Sequence, residues 1–200
     1  MLVEQNAITQ KIFSLPDLLL QVEDWKKNSK KIVFTNGCFD LIHPGHLSYL
    51  LEAGSLGDQL IIGVNTDSSV RKIKGEERPI NEEQSRLQLL AALFFVDAVV
   101  LFDEDTPADL IEAIKPAILV KGGDYKIEDI VGAKETMERG GTVKVLNFLP
   151  GYSSTNIIEK INSKSKHQPI VLFGIGKAVY KDVDYIDLNE FCFQFPYCIF

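Results

Sequence analysis

Residues 35–50 read TNGCFDLIHPGHLSYL. The run leading into them, KIVFTN at 31–36, is apolar and β-branched and predicts a buried strand. The run leaving the bend, HLSYLLEAGSLG at 46–57, sets Leu47, Leu50 and Leu51 on one helical face and closes on glycine. A strand therefore feeds a helix across one tight bend. Two of the three histidines in the chain, His43 and His46, lie in that bend on either side of Pro44-Gly45. Gly37 is expected to turn the chain off the strand, and Asp40 to hold the loop through nearby backbone. Pro44 fixes φ, and Gly45 leaves room for an approaching group. If the helix starts at about Gly45 or His46, its free N–H groups and partial positive charge favour a phosphate. The two imidazoles would flank it as donors or as charges near neutral pH.

The rest of the chain repeats the strand-then-helix pattern. Strands are expected at QLIIGVNT (59–66), DAVVLF (97–102), AILVKGGD (117–124) and TVKVLNF (142–148). Helices are expected at residues 11–28, starting near Pro16, and at INEEQSRLQLLAAL (80–93), with Asn81 as N-cap. Two more are expected at TPADLIEAI (106–114), with Thr106 as cap and Pro107 at N1, and at STNIIEKI (154–161). Strands that are apolar throughout belong to a parallel sheet covered on both faces. The expected fold class is α/β, a doubly wound Rossmann-like parallel sheet. Its domains are a lead-in helix at 1–29, a main domain at 30–162 and an extension at 163–200. In such sheets ligands sit at the carboxyl ends of the strands, where TNGCFDLIHPGH, VNTDSSVRKIKG and VKGGDY all fall.

Composition narrows the function classes. With 200 residues, 46% hydrophobic and 24% charged, the chain resembles an ordinary globular protein. A net charge of −7 argues against a general nucleic-acid binder. Three cysteines are too few for a disulfide framework and suggest a reducing, cytoplasmic setting. No apolar run is long enough to span a membrane, and the first residues lack a signal-peptide pattern. The sequence has neither G-x-x-x-x-G-K-[ST] nor a G-x-G-x-x-G after the first strand. A metal site built on His43, His46 and Cys38 lacks a fourth ligand, since His167 is far along the chain. The plain alternative for the bend is a pair of helix-start histidines with no ligand.

Other positions support an anionic ligand. RKIKGEERPINEEQSR (71–86) gathers Arg71, Lys72, Lys74, Arg78 and Arg86 in what reads as a loop after the second strand. Lysines there suit phosphate as mobile point charges, and arginines as forks. Arg86 would point into the site or pair with Glu82 at i, i+4. Lys121 ends a strand before Gly122 and Gly123, which let a base or sugar lie against the backbone. Ser153, Ser154 and Thr155 cluster at a helix start, as a cap or a second phosphate contact.

Over about residues 12–162, these motifs resemble the HIGH-type nucleotidyltransferase superfamily, whose H-x-G-H core is written here as His43-Pro44-Gly45-His46. FTNGCFDLIHPGH, VNTDSSVRKIKGEERPIN, ILVKGGDY and GYSSTNIIEKI in this order are most similar to the adenylyltransferase domain of bacterial ADP-heptose synthases. The resemblance implies transfer of AMP from ATP to D-glycero-β-D-manno-heptose 1-phosphate, with Mg²⁺ and no covalent enzyme intermediate, feeding lipopolysaccharide core synthesis. It implies catalytic roles for His43, His46, Lys72 and Lys74. It places the nucleotide on Thr35, Asn36, Gly37, Cys38, Phe39, Asp40 and Gly45, with Arg86, Lys121, Gly122, Gly123, Asp124, Ser153, Ser154 and Thr155. Asp67 and Arg78 would meet the sugar phosphate, and no protein metal site is implied. A homodimer and a separate upstream sugar kinase are further expectations. One departure is Leu149-Pro150-Gly151-Tyr152, where several relatives carry a cation before the Ser/Thr run. Rival readings are a glycerol-3-phosphate type cytidylyltransferase and a non-catalytic nucleotide binder.

Overall fold

The computed structural model describes residues 6–165 and the backbone of 172–174, 177–180 and 183–186. The chain forms two compact units, one ending at Ser154 and one beginning at Thr155.

The first unit starts with a short helix, α1 (Asn6–Thr9), and a two-residue strand, β1 (Ile12–Phe13). Helix α2 (Leu15–Lys27) follows, with the Ser14 hydroxyl accepting the Asp17 N–H at its cap and proline in the first turn. The lead-in segment thus holds a strand as well as the expected helix. Next come β2 (Ile32–Gly37), α3 (Pro44–Gly54), β3 (Gln59–Asn65) and α4 (Asp67–Lys74). These lead to α5 (Glu83–Ala91), β4 (Ala98–Phe102), α6 (Ala108–Ile114) and β5 (Ile118–Gly122). A 3₁₀ turn, α7 (Ala133–Glu138) and β6 (Thr142–Leu146) complete the sheet, and α8 (Ser154–Ser165) begins at the boundary between the units.

The six strands are all parallel, in the order β1-β4-β3-β2-β5-β6. The order reverses at β2: β3 and β4 lie to one side, β5 and β6 to the other. Alternate residues serve opposite faces. Val33, Leu60, Ile62 and Val64 join Leu50, Ala53, Leu87 and Leu90 of α3 and α5 in one core. Ile32, Phe34 and Ile61 join Leu18, Val22, Leu110, Ile111 and Ile114 of α2 and α6 in the other. This is the doubly wound α/β architecture, with the switch point just where TNGCFD leaves β2.

Three local expectations are corrected. The charged stretch after β3 is not all loop: Asp67–Lys74 is helical, capped by the Thr66 hydroxyl on the Ser69 N–H. Asn81 does not cap α5, because its N–H and side-chain amide both turn to Asp40 and Glu82 takes the cap position. Thr106 does not cap α6, whose cap position is Pro107 with no side-chain bond.

In the second unit, β7 (Leu172–Gly174), β8 (Lys177–Tyr180) and β9 (Val183–Ile186) pair with one another in an antiparallel sheet. The apolar NEFCFQFPYCIF segment (189–200), expected to be covered or disordered, lies outside the described residues, as does His167.

Candidate active site

The bend after β2 is tighter than the sequence suggests. Gly37 remains inside the strand, and the turn is made by Phe39, at φ 48. A phenylalanine rarely adopts this left-handed conformation. Gly37 contributes space instead, since a Cβ there would sit 3.1 Å from the Phe39 ring. Gly45 does the same for His43, whose ring would lie 3.0 Å from an added Cβ. The room expected at Gly45 for an approaching group is therefore taken by the protein itself. Helix α3 starts at Pro44, slightly earlier than expected, and His43 is its cap. The His43 Nδ1 accepts the His46 N–H at 3.3 Å, which leaves the proton of the neutral ring on Nε2.

The two imidazoles stack, with centroids 3.8 Å apart and planes at 23°. They do not stand on two sides of one spot. His46 faces the cavity, and buried His43 supports it from behind. Burial, and then neighbouring His43, lower the pKa of His46 to about 4. Burial also lowers His43. Both rings are neutral at pH 7 and act as hydrogen-bond donors or acceptors rather than as charges. The His46 Nδ1 is buried without a hydrogen-bond partner among the described residues.

A cavity of about 410 Å³ opens at the carboxyl ends of the strands. Asn36 to Asp40, His46, Lys74, Arg78, Lys121, Gly122 and Ser154 line it, and so the structure brings these expected residues together. Arg78 is set by Asp40, whose carboxylate accepts the Arg78 Nε at 2.5 Å and the Ile80 and Asn81 N–H groups at 2.7 and 2.9 Å. Asp40 therefore fixes a loop some 40 residues away rather than its own. The Arg78 Nη2 is buried and unpartnered among the described residues. Lys121 donates to the Asn36 Oδ1 at 3.4 Å and lies 5.6 Å from the Tyr125 ring centre. Burial lowers its pKa. The Ser154 hydroxyl donates to the Leu41 carbonyl, pinning the start of α8 to the bend.

Other expected residues stand elsewhere. Lys72 does not line the cavity and lies close enough to Asp103 to stabilise its carboxylate. Thr35 is buried in β2, and Gly45 is buried in α3. Gly123, Asp124 and Ser153 are not part of the cavity lining, and Thr155 belongs to the second unit. Arg86 and Asp67 are corrected most. Arg86 is fully buried, and its guanidinium donates to the Cys38 carbonyl at 2.6 Å, the Asn81 carbonyl at 3.0 Å and the Asp67 carboxylate at 2.8 Å. Its side chain does not line the cavity, and it pairs with Asp67 rather than with the Glu82 carboxylate. It ties the bend to the start of α4 and the loop before α5.

The sequence reading missed Asn65, Phe102, Asp105, Thr106, Tyr125 and Phe148, which also line the cavity. Asn65, Phe102 and Asp105–Thr106 lie at or just beyond the carboxyl ends of β3 and β4, so the strand-end rule alone had pointed to them. No group of three or more metal-ligating side chains occurs among the described residues.

The neutral histidine pair stands at a helix start, and His46 faces a cavity edged by Lys74, Arg78 and Lys121; together with the relatives that follow, this makes the chain a nucleotidyltransferase. A family model described as cytidylyltransferase-like matches residues 34–160, and the chain belongs to that family. It is 54% identical over 151 residues to the bifunctional protein HldE of Marinomonas sp. strain MWYL1, covering 76% of this chain and 32% of that one. It is 60% identical over 140 residues to the protein of the same name from Histophilus somni, covering 70% and 30%. The chain thus spans about a third of the length of the curated relatives it matches. Among solved structures, the lipopolysaccharide core biosynthesis protein of Thermoplasma volcanium GSS1 aligns with TM-score 0.50 and 33% identity. That match covers 60% of this chain and 97% of that one. A pantoate-beta-alanine ligase from Francisella tularensis, 17% identical with TM-score 0.50 and 81% coverage of both chains, shares the fold.

Proposed function

We propose that the chain transfers AMP from ATP to D-glycero-β-D-manno-heptose 1-phosphate, giving ADP-heptose and pyrophosphate. The observation that carries this reading is the concentration of cationic donors at the cavity. In a chain of net charge −7, Lys74, Arg78 and Lys121 converge beside His46. Such a cavity suits a polyphosphate meeting a second phosphate. The similarity to HldE proteins supports the heptose acceptor.

An oxygen of the sugar phosphate attacks the α-phosphorus of ATP in line. The bond from that phosphorus to the α–β bridging oxygen breaks, and its electron pair leaves with pyrophosphate. Such transfer needs position and charge stabilisation more than acid or base. Neutral His46 donates to oxygens on which charge grows, and His43 holds its ring in place. Lys74 draws the leaving pyrophosphate, Arg78 the acceptor phosphate, and Lys121 with Gly122 the nucleotide. Ser154 holds the bend through the Leu41 carbonyl. Mg²⁺ fits as an ion carried by the triphosphate, because the lining offers carboxylates but no dedicated cluster. When bound, it neutralises phosphate charge.

A homodimer, a cytoplasmic setting and a kinase supplying the sugar 1-phosphate go with this reading. Among the described residues no helix is long and apolar enough to cross a membrane. The cytidylyltransferase-like description favours one second reading, CTP with glycerol 3-phosphate. Pyrophosphate release with Mg²⁺ decides between them. Release requiring both ATP and heptose 1-phosphate is expected. Release only with CTP and glycerol 3-phosphate overturns the substrate assignment, and silence with both pairs favours a nucleotide binder.

A further inference from the structure

We infer that Asp105 and Thr106, beyond β4, form the subsite that reads the hydroxyl groups of the acceptor. This rests on transfer to a sugar phosphate as proposed above. The chemistry of the cavity changes from end to end. Beside β2, β5 and β6 lie the rings of Phe39, His46, Tyr49 and Phe148, and next to them Lys121. Lys74 and Arg78 bring positive charge from the segment after β3. The segment beyond β4 adds Asp105 and Thr106 to the lining. A carboxylate repels a phosphate. An ionised carboxylate is acceptor-only, so it prefers a partner that donates. Sugar hydroxyls donate and carry no charge.

Both side chains are free for this work. Neither makes a hydrogen bond or an ion pair with another described residue. The Thr106 hydroxyl is free because α6 starts two residues later without using it as a cap. Asn65, another polar group of the lining, is already engaged: its amide donates to the Ser69 hydroxyl at 3.0 Å, and its Oδ1 lies 3.8 Å from the Cys38 sulfur. Phe102, Pro107 and Ile73 add apolar surface to the same lining. A carboxylate and a hydroxyl beside an apolar wall match a carbohydrate, whose C–H face is apolar and whose edge is a row of hydroxyls.

The test is steady-state kinetics with ATP, heptose 1-phosphate and Mg²⁺ varied in turn, for wild type, Asp105→Ala and Thr106→Val. Binding of heptose 1-phosphate is measured in parallel by calorimetry with a non-hydrolysable ATP analogue. Both positions are exposed, so the variants should fold as wild type does. Asp105→Ala should raise the KM for the sugar phosphate about 10- to 100-fold, the scale of losing a charge-assisted hydrogen bond. Thr106→Val should raise it about fivefold, on the scale of a neutral bond. The KM for ATP and the Mg²⁺ midpoint should stay put. Unchanged acceptor KM and affinity in both variants would overturn the subsite. A shifted Mg²⁺ midpoint with unchanged acceptor KM would make Asp105 a metal ligand instead. A wild type that binds heptose 1-phosphate without pyrophosphate release, and loses that binding in Asp105→Ala, keeps the subsite and refutes the transfer reading. A wild type that neither binds nor reacts refutes both.

Discussion

Replacing Arg86 by alanine should destabilise the protein more than any change at the cavity surface. The guanidinium is fully buried and makes three hydrogen bonds, to two carbonyls and one carboxylate. Its loss leaves the Cys38 and Asn81 carbonyls without a donor, at about 1–3 kcal/mol each where water cannot replace it. Asp67 also loses its counter-ion, but its side chain is 24% exposed and keeps part of its hydration. The sum falls at about 3–5 kcal/mol, the range for breaking a buried pair from one side. A domain of this size loses about 2–4 °C in Tm per kcal/mol, so the melting point should drop by about 6–20 °C. Urea unfolding followed by circular dichroism would show a lower midpoint with an unchanged slope. Arg86→Lys should fall between, since one ammonium cannot serve three directions. A variant Arg86→Ala within about 1 kcal/mol of wild type would refute the view that this side chain holds the bend, α4 and the loop before α5 together.

Three further outcomes follow from the same geometry. His46 has a folded pKa of about 4 against an ordinary value of 6.5, so the unfolded chain takes up its proton first as the pH falls. Its stabilising contribution is whole above pH 6.5 and is lost between 6.5 and 4. The unfolding free-energy difference between wild type and His46→Gln should then vary by up to about 1.4 kcal/mol per pH unit in that window and level off above it. A difference equal at pH 5 and 7.5 counts against the burial argument. Asp40→Ala removes the acceptors for Arg78 and for the Ile80 and Asn81 N–H groups, so proteolysis at 75–81 should quicken and the KM for the acceptor rise. Cleavage at the wild-type rate would show that Asp40 does not hold that loop. Lys121→Met should weaken ATP binding about 10- to 100-fold without lowering the urea midpoint, and unchanged ATP affinity by calorimetry would remove Lys121 from the nucleotide site.

The fold was legible because its signals are local and repeated. Runs such as LIIGV (60–64) and AILV (117–120) carry no polar residue at alternate positions, and that argues against a sheet with one wet face. The parallel sheet, its helices and the position of the bend at a strand end follow from that patterning. Short elements escaped it: β1 is two residues long and takes its place by pairing with β4, a partner more than 80 residues away. The cap assignment failed at Asn81 because a cap competes with tertiary partners, and at Thr106 because α6 starts one residue later than expected. Asp40 took Asn81, and Pro107 took the cap position ahead of α6. Arg86 shows the same limit for the site. A cation in a basic stretch reads as a ligand-binding group, and only three-dimensional packing shows its donors spent on backbone carbonyls.

The histidine pair carries this point into the chemistry. Sequence allows each imidazole to be a donor or a cation near neutral pH. Stacking and burial remove the second option, since two cations with centroids 3.8 Å apart would repel and each would lose hydration. The positive character of the cavity therefore comes from Lys74, Arg78 and Lys121, not from histidine. A polyphosphate in the cavity adds negative charge, which raises the His46 pKa from about 4. In the proposed reaction the neutral ring donates a hydrogen bond that strengthens as charge builds on the phosphate oxygens. A group held neutral in the empty site stabilises the charged arrangement more than the resting one, and only such a difference accelerates a reaction.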